Sequence, residues 1–131
     1  MNRDLIDAAR AARLKAHAPY SNFPVGAAVR DELGRVFGGC NVENVAYPQG
    51  WCAEASAIAA LVMAGGKGIA EVAVVGAGPG LVTPCGGCRQ KIREFAGPHV
   101  RIHVCGAEGE IRRTFTLDEL LPFSFGPDHL R

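Results

Sequence analysis

Cys52-Ala53-Glu54-Ala55-Ser56-Ala57-Ile58-Ala59-Ala60-Leu61-Val62-Met63-Ala64, closed by Gly65-Gly66, is the stretch on which the fold turns. Small and apolar residues occupy nearly every face of a helix drawn over 52–64, and the glycine pair ends it. A helix without a polar stripe is expected to be central and buried all round. Upstream, Val25 to Arg30 and Val36 to Val42 read as strands, with Asp31 to Arg35 as the hairpin between them. Leu5, Ile6, Ala9 and Leu14 lie on one face of an opening helix. Pro19, Ser21, Asn22 and Pro24 punctuate a loop after it. Downstream come a strand over Val72 to Val75, a loop over Gly76 to Pro84, and a helix over Cys88 to Phe95. Strands over Val100 to Cys105 and Arg112 to Thr116, then a short helix over Leu117 to Leu121, complete the pattern. Helices and strands in alternation predict an α/β sandwich with helices packed on a mixed sheet.

A chain of 131 residues fits one domain, and 48% hydrophobic content supplies its core without disulfide staples. Fourteen Lys+Arg against 13 Asp+Glu leave a formal net charge of +1, which offers no electrostatic footprint for nucleic acid or an anionic membrane. The longest uncharged apolar stretch, Ala55 to Gly66, is too short to span a bilayer. Charges interspersed through Met1 to Ala18 are unlike a secretory signal, so a soluble cytoplasmic protein is expected. In that compartment Cys40, Cys52, Cys85, Cys88 and Cys105 are thiols or metal ligands rather than disulfides.

Glu54 stands in the first turn of the apolar helix, where burial of a lone carboxylate is costly. Acidic residues favour helix N-termini in any case, and Cys52 is what makes this one notable. Pro84-Cys85-Gly86-Gly87-Cys88 places a C-x-x-C where another helix begins. A redox reading of that pair gives Cys52 and Glu54 no task, and a four-cysteine structural zinc site lacks its second close pair. Cys40 and Cys105 stand alone among strand residues, where a buried inert thiol is the ordinary state. Three thiolates from two helix N-termini leave tetrahedral zinc one open position, the mark of a catalytic site. Cys-x-Glu followed by Pro-Cys-x-x-Cys is the all-cysteine form of the zinc deaminase signature.

The chain resembles the small homotetrameric cytidine deaminases of pyrimidine salvage. The resemblance is carried by residues 19–27 (PYSNFPVGA), 41–47 (NVENVAY), 52–54 (CAE) and 84–90 (PCGGCRQ), with Leu120-Leu121-Pro122 and Phe125 near the end. It implies a three-layer α-β-α sandwich around a mixed sheet of about five strands, with residues 1–131 as one catalytic domain. It also implies one zinc per chain on Cys52, Cys85 and Cys88, hydroxide attack at C4 of cytosine, and Glu54 as the proton shuttle. Asn41 and Glu43, two residues apart in an extended segment, point to one side and form a fork suited to ribose hydroxyls, as the family uses them. Phe23 resembles the family's aromatic contact to the pyrimidine. Tyr47 and Phe125 resemble residues that reach the site of a neighbouring subunit. Where many relatives follow the glutamate with Arg, this chain has Ala55 and then Ser56, so the surplus negative charge of three thiolates needs another counterweight.

Other readings account for less. Gly76-Ala77-Gly78-Pro79-Gly80 follows a strand, but Leu81 stands near where a dinucleotide loop needs its third glycine and no helix follows directly. Deamination within a polynucleotide wants a basic groove and stacking aromatics, whereas aromatic residues make up 7% here. A deaminase for a blasticidin-type nucleoside antibiotic shares the zinc chemistry, but the blocks around Phe23 and 41–47 favour cytidine. A non-enzymatic zinc-stabilised module requires a fourth ligand, with His17, His99, His103 and His129 as candidates.

Overall fold

The computed structural model describes residues 2–130. Helix α1 (Arg3–Arg13) leads into the hairpin of β1 (Val25–Asp31) and β2 (Val36–Cys40). Helix α2 (Ala53–Met63), β3 (Ile69–Gly76), α3 (Gly86–Phe95) and β4 (Arg101–Cys105) follow, then β5 (Ile111–Thr116) and the single turn α4 (Leu117–Leu120). The sheet has five strands in the order β2-β1-β3-β4-β5. β1 runs antiparallel to both β2 and β3, and β3 parallel to β4, so β2, β3 and β4 all point one way. The crossovers through α2 and α3 therefore begin at the same edge of the sheet. That edge, at the carboxyl ends of parallel strands, is where α/β sheets open a crevice.

Side-chain alternation along the strands divides the core into two faces. Val29, Val72, Val74 and Ile102 pack with Ala57, Ile58 and Leu61 of α2 and with Ile92 of α3. Ala28, Ala73, Val75 and Cys105 face Leu5, Ile6 and Ala9 of α1. The expected three-layer α/β arrangement on a mixed five-stranded sheet is the one observed.

Four details depart from the sequence reading. Leu14 does not join Leu5, Ile6 and Ala9 on the buried face, because α1 ends at Arg13 and Leu14 is 82% exposed beyond it. Helix α2 is not buried all round: Val62 is 49% and Met63 89% exposed, and Ala59 is exposed with them. The sheet covers one side of the helix only, so its outer side stays apolar and open. Strand β2 ends at Cys40 rather than Val42 because, although Asn41 still donates its N–H to Val25 O, its carbonyl accepts from His17 and Val42 pairs with Trp51 instead of β1. Helix α3 starts at Gly86 rather than Cys88, because Cys85 takes the N-cap position in extended conformation.

Two glycines set helix height above the sheet. A Cβ on Gly39 would come within 2.6 Å of Ala53 O and collide with the Ala57 nitrogen, so α2 rests its first turns directly on β2. A Cβ on Gly38 would meet Ala8 O at 3.3 Å and little else that is close. Gly39→Ala is expected to destabilise by about 1–3 kcal/mol through overpacking, and Gly38→Ala by well under that, compared by thermal unfolding. The hairpin is held by Asp31, whose side chain accepts from Leu33 N (3.0 Å), Arg35 N (2.8 Å) and Arg35 Nε (2.7 Å). Desolvation alone would raise this carboxyl, but the Arg35 and Leu33 bonds outweigh it and hold it below its ordinary value. Its contribution to stability is thus present above about pH 4 and lost as pH falls through the depressed native value. Asp31→Asn should lower the melting temperature at pH 7 and flatten its decline in acid, which a series of melts from pH 7 to 3 measures.

Candidate active site

Cys52 is the N-cap of α2 and Cys85 the N-cap of α3, with Cys88 in the first turn of α3. Because both helices start at one edge of the sheet and pack side by side, the three sulfurs meet. Their Sγ atoms lie within 4.8 Å of one another, and Cys52 Sγ to Cys85 Sγ is 3.7 Å. Two thiolates about 2.3 Å from one tetrahedral ion would stand about 3.8 Å apart, so the spacing fits zinc. Among the described residues no histidine belongs to this cluster, which removes the fourth ligand that a closed structural site would need.

The electrostatics also ask for a cation. Burial pushes the Cys88 thiol up, and the charges of Glu54, Cys52 and Cys85 push it further. Burial likewise raises Cys52, as do its hydrogen bond with Cys85 and the charge there. Cys85 is held low against its own burial by the Cys88 backbone N–H and by bonds with the Cys52 and Cys88 thiols. Cys52 and Cys88 are thus held in the thiol form more firmly than a free cysteine and Cys85 less so, and a positive ion among them would favour all three thiolates. Glu54 is 4% exposed, in the first turn of α2. Burial raises its carboxyl, opposed by its own backbone N–H, the Cys88 thiol and the charge of Lys91. A carboxyl near three thiols with its ionisation pushed toward neutrality is suited to taking up and releasing a proton.

Residues 1–104 match the model of a protein family described as the cytidine and deoxycytidylate deaminase zinc-binding region. This chain belongs to that family. A cytidine deaminase of Sporosarcina psychrophila is 41% identical over 126 residues, covering 96% of this chain and 92% of that protein. A crystal structure of cytidine deaminase from Burkholderia pseudomallei aligns with a TM-score of 0.88 at 43% identity, over 95% of this chain and 99% of that one. Cytidine deaminase from Mycobacterium tuberculosis aligns at 0.82 and 39%, over 94% and 95%. The deaminase carries the family's zinc-binding region, with Cys52, Cys85 and Cys88 positioned to bind the ion.

The remaining sequence candidates lie on two loops and the C-terminal segment. Asn41 accepts from Val25 N at 2.9 Å and donates to Phe23 O at 3.0 Å, so both ends of its amide brace the entry to β1. Glu43 accepts from the N–H groups of Tyr20 (2.9 Å) and Ser21 (3.1 Å) and from the Ser21 hydroxyl. Each therefore ties the 41–43 segment to the loop before β1, a task the i, i+2 reading did not foresee. Phe23 is exposed in that loop. Tyr47, in a one-turn helix over Tyr47–Gln49, tilts against Tyr20 at 5.7 Å between ring centroids. Those two rings, Ser21, Glu43, Asn44 and Gly50 line a cavity of about 320 Å³. Phe125 sits on the C-terminal segment, stacked on His129 at 5.2 Å. Ala55 is buried and lines a groove between α2 and α3 beside Lys91 and Glu94. The sequence reading gave Lys91 no role, although a basic residue one helical turn beyond a ligand cysteine was visible.

Cys85→Ser should lose most bound zinc and melt earlier, because metal binding and folding are coupled. Since the Cys52 and Cys88 protons must leave for the ion to enter, zinc affinity of the wild type should weaken steadily as pH is lowered. Competition against a chromophoric chelator from pH 8 to pH 6 measures both effects.

Proposed function

We propose that this deaminase hydrolyses free cytidine and 2′-deoxycytidine to uridine and 2′-deoxyuridine with release of ammonia. The observation that carries the reading is the cluster itself: three thiols converging at two helix N-termini, with a buried carboxyl two residues beyond the first. Cys52, Cys85 and Cys88 would hold one zinc per chain. Bound zinc lowers the pKa of a coordinated water and so supplies hydroxide at neutral pH. In our reading Glu54 takes up the proton that this water loses and delivers it to N3 of the cytosine ring as C4 becomes tetrahedral. It then takes the proton of the new C4 hydroxyl and passes it to the departing amino group, so the C4–N bond breaks, ammonia leaves and the C4 carbonyl forms as uracil regains its planar ring. The same carboxyl serves as base and then acid, which a group raised by burial can do near pH 7.

Phe23 is proposed to pack on the pyrimidine, and Asn41 and Glu43 to bind the ribose hydroxyls. The Asn41 amide has one N–H left over, and the Glu43 oxygens have lone pairs beyond those engaged by residues 20 and 21. A near-neutral chain with an acid at the sugar end suits an uncharged nucleoside better than a nucleotide or nucleic acid. Tyr47 is 73% and Phe125 57% exposed, and rings so open fit a homotetramer in which each reaches a neighbouring subunit's site. The bare outer side of α2 at Val62 and Met63 fits burial in the same assembly. Residues 1–131 would act as one catalytic domain, in the cytoplasm, in the salvage of pyrimidine nucleosides. Among the described residues no helix is long and apolar enough to cross a membrane.

Glu54→Gln should keep its zinc and its melting temperature while turnover of cytidine falls about 10²–10⁴-fold. Ultraviolet-monitored turnover, with cytidine monophosphate and blasticidin S in parallel and zinc counted on the same sample, tests it. Undiminished turnover by the variant, or faster loss of blasticidin S than of cytidine by the wild type, overturns the assignment.

A further inference from the structure

The turn between two of the ligand cysteines is closed by main-chain bonds and has little side-chain bracing of its own. Cys85 enters α3 in extended conformation, and Gly86 and Gly87 follow. A Cβ built on Gly86 would meet nothing within 4 Å, and one on Gly87 would meet Lys91 Nζ at 3.6 Å. Glycines add no side-chain contact to this turn, which closes through the main-chain bond from Arg89 N to Cys85 O at 2.9 Å, so any side-chain brace has to come from outside it. The brace comes from the residue after Cys88. Arg89 turns back across the start of its own helix, donating from Nε to Pro84 O at 2.7 Å and from Nη2 to Thr83 Oγ1 at 3.1 Å. Its Nη1 donates to Leu120 O at 2.8 Å, at the end of α4. Thr83 and Pro84 are the two residues that lead into Cys85. One rigid planar group thus ties the chain entering the metal site, the helix leaving it and the turn packed beside it.

We propose that Arg89 is the positioning residue of the metal site, setting Cys85 against Cys88 before the ion arrives. This rests on the reading that the three cysteines hold zinc. Among the described residues, the hydrogen-bond partners of Arg89 are two carbonyls and a hydroxyl, none of them acidic. Its positive charge is thus not spent on an ion pair with any of these partners, and its fork is what holds the peptide that adjoins Cys85. Lysine could keep that charge but not the fork, because a single ammonium cannot span three acceptors arranged around a plane.

The test compares zinc affinity, by chelator competition, among the wild type, Arg89→Lys, Thr83→Val and Arg93→Lys, with melting curves of each protein stripped of metal. Arg93 is one turn further along α3, where it bonds Ser124 and Asp128, and serves as the control for general loosening of the helix. Arg89→Lys should weaken zinc binding about 10–100-fold, the usual cost of removing a group that orients a metal ligand. Thr83→Val, which removes one of the three acceptors, should weaken it less, and Arg93→Lys should leave it unchanged while lowering the melting temperature. With cobalt in place of zinc, Arg89→Lys should also alter the thiolate-to-metal absorption band. Wild-type affinity in Arg89→Lys, or an equal loss in Arg93→Lys, overturns the proposal. Failure of the wild type itself to bind zinc, or retention of zinc by Cys85→Ser, would instead overturn the ligand reading on which it rests.

Discussion

Three sulfur acids and a carboxyl crowded into one site are the constraint around which this protein is arranged. Like charges so close cannot all ionise in a protein interior without help. Part of the help is built in: two of the sulfurs cap helices, where the N-terminal dipole favours an anion. The Cys88 amide and the Lys91 ammonium add to it. What remains is a deficit of positive charge that a divalent ion meets. Burial, the first cause that raises the Cys52 and Cys88 thiols, also keeps Glu54 protonated more readily than a surface glutamate, so the requirement for metal and the capacity for proton transfer share one physical origin.

The sheet exists to make that crowding possible. Because β2 and β3 run parallel with β1 between them, the connections that follow both return from the same edge, and α2 and α3 begin side by side. Gly39 then lets the first turn of α2 lie against β2, which sets how deep Glu54 sits. With a side chain at that position, α2 would ride higher and its N-terminus would draw away from Cys85. Valines and alanines on the strands serve this geometry by offering a smooth surface to helices on both faces.

Around the site, the loops are fastened to one another rather than to the core. Asn41 and Glu43 hold the segment over residues 20–25 through backbone N–H and carbonyl groups, while Arg89 performs the equivalent task on the other side. Beyond them Tyr47, Phe123, Phe125 and Met63 are exposed.

The metal-site motif was legible in residues close along the chain. Cys-x-Glu and Cys-x-x-Cys are local patterns, and period-2 and period-3.6 hydrophobicity placed every strand and helix that carries them to within a few residues. Misreadings fell where a residue's partner lies far away in sequence. The strand at Val36–Cys40 stopped short of Val42 because the next residues turn to His17 and Trp51. The helix at Ala53–Met63 kept an open face because a sheet covers one side only, which composition cannot reveal. Arg89 looked like an unremarked basic residue until its reach to Leu120 was visible. By itself the sequence determined the ligand types, the carboxyl and the α/β alternation, since these follow from short-range periodicity and spacing. Only the tertiary structure decided that Cys52 meets Cys85, which groups brace their turns and which rings stay exposed, because those depend on strand order and on contacts between segments dozens of residues apart.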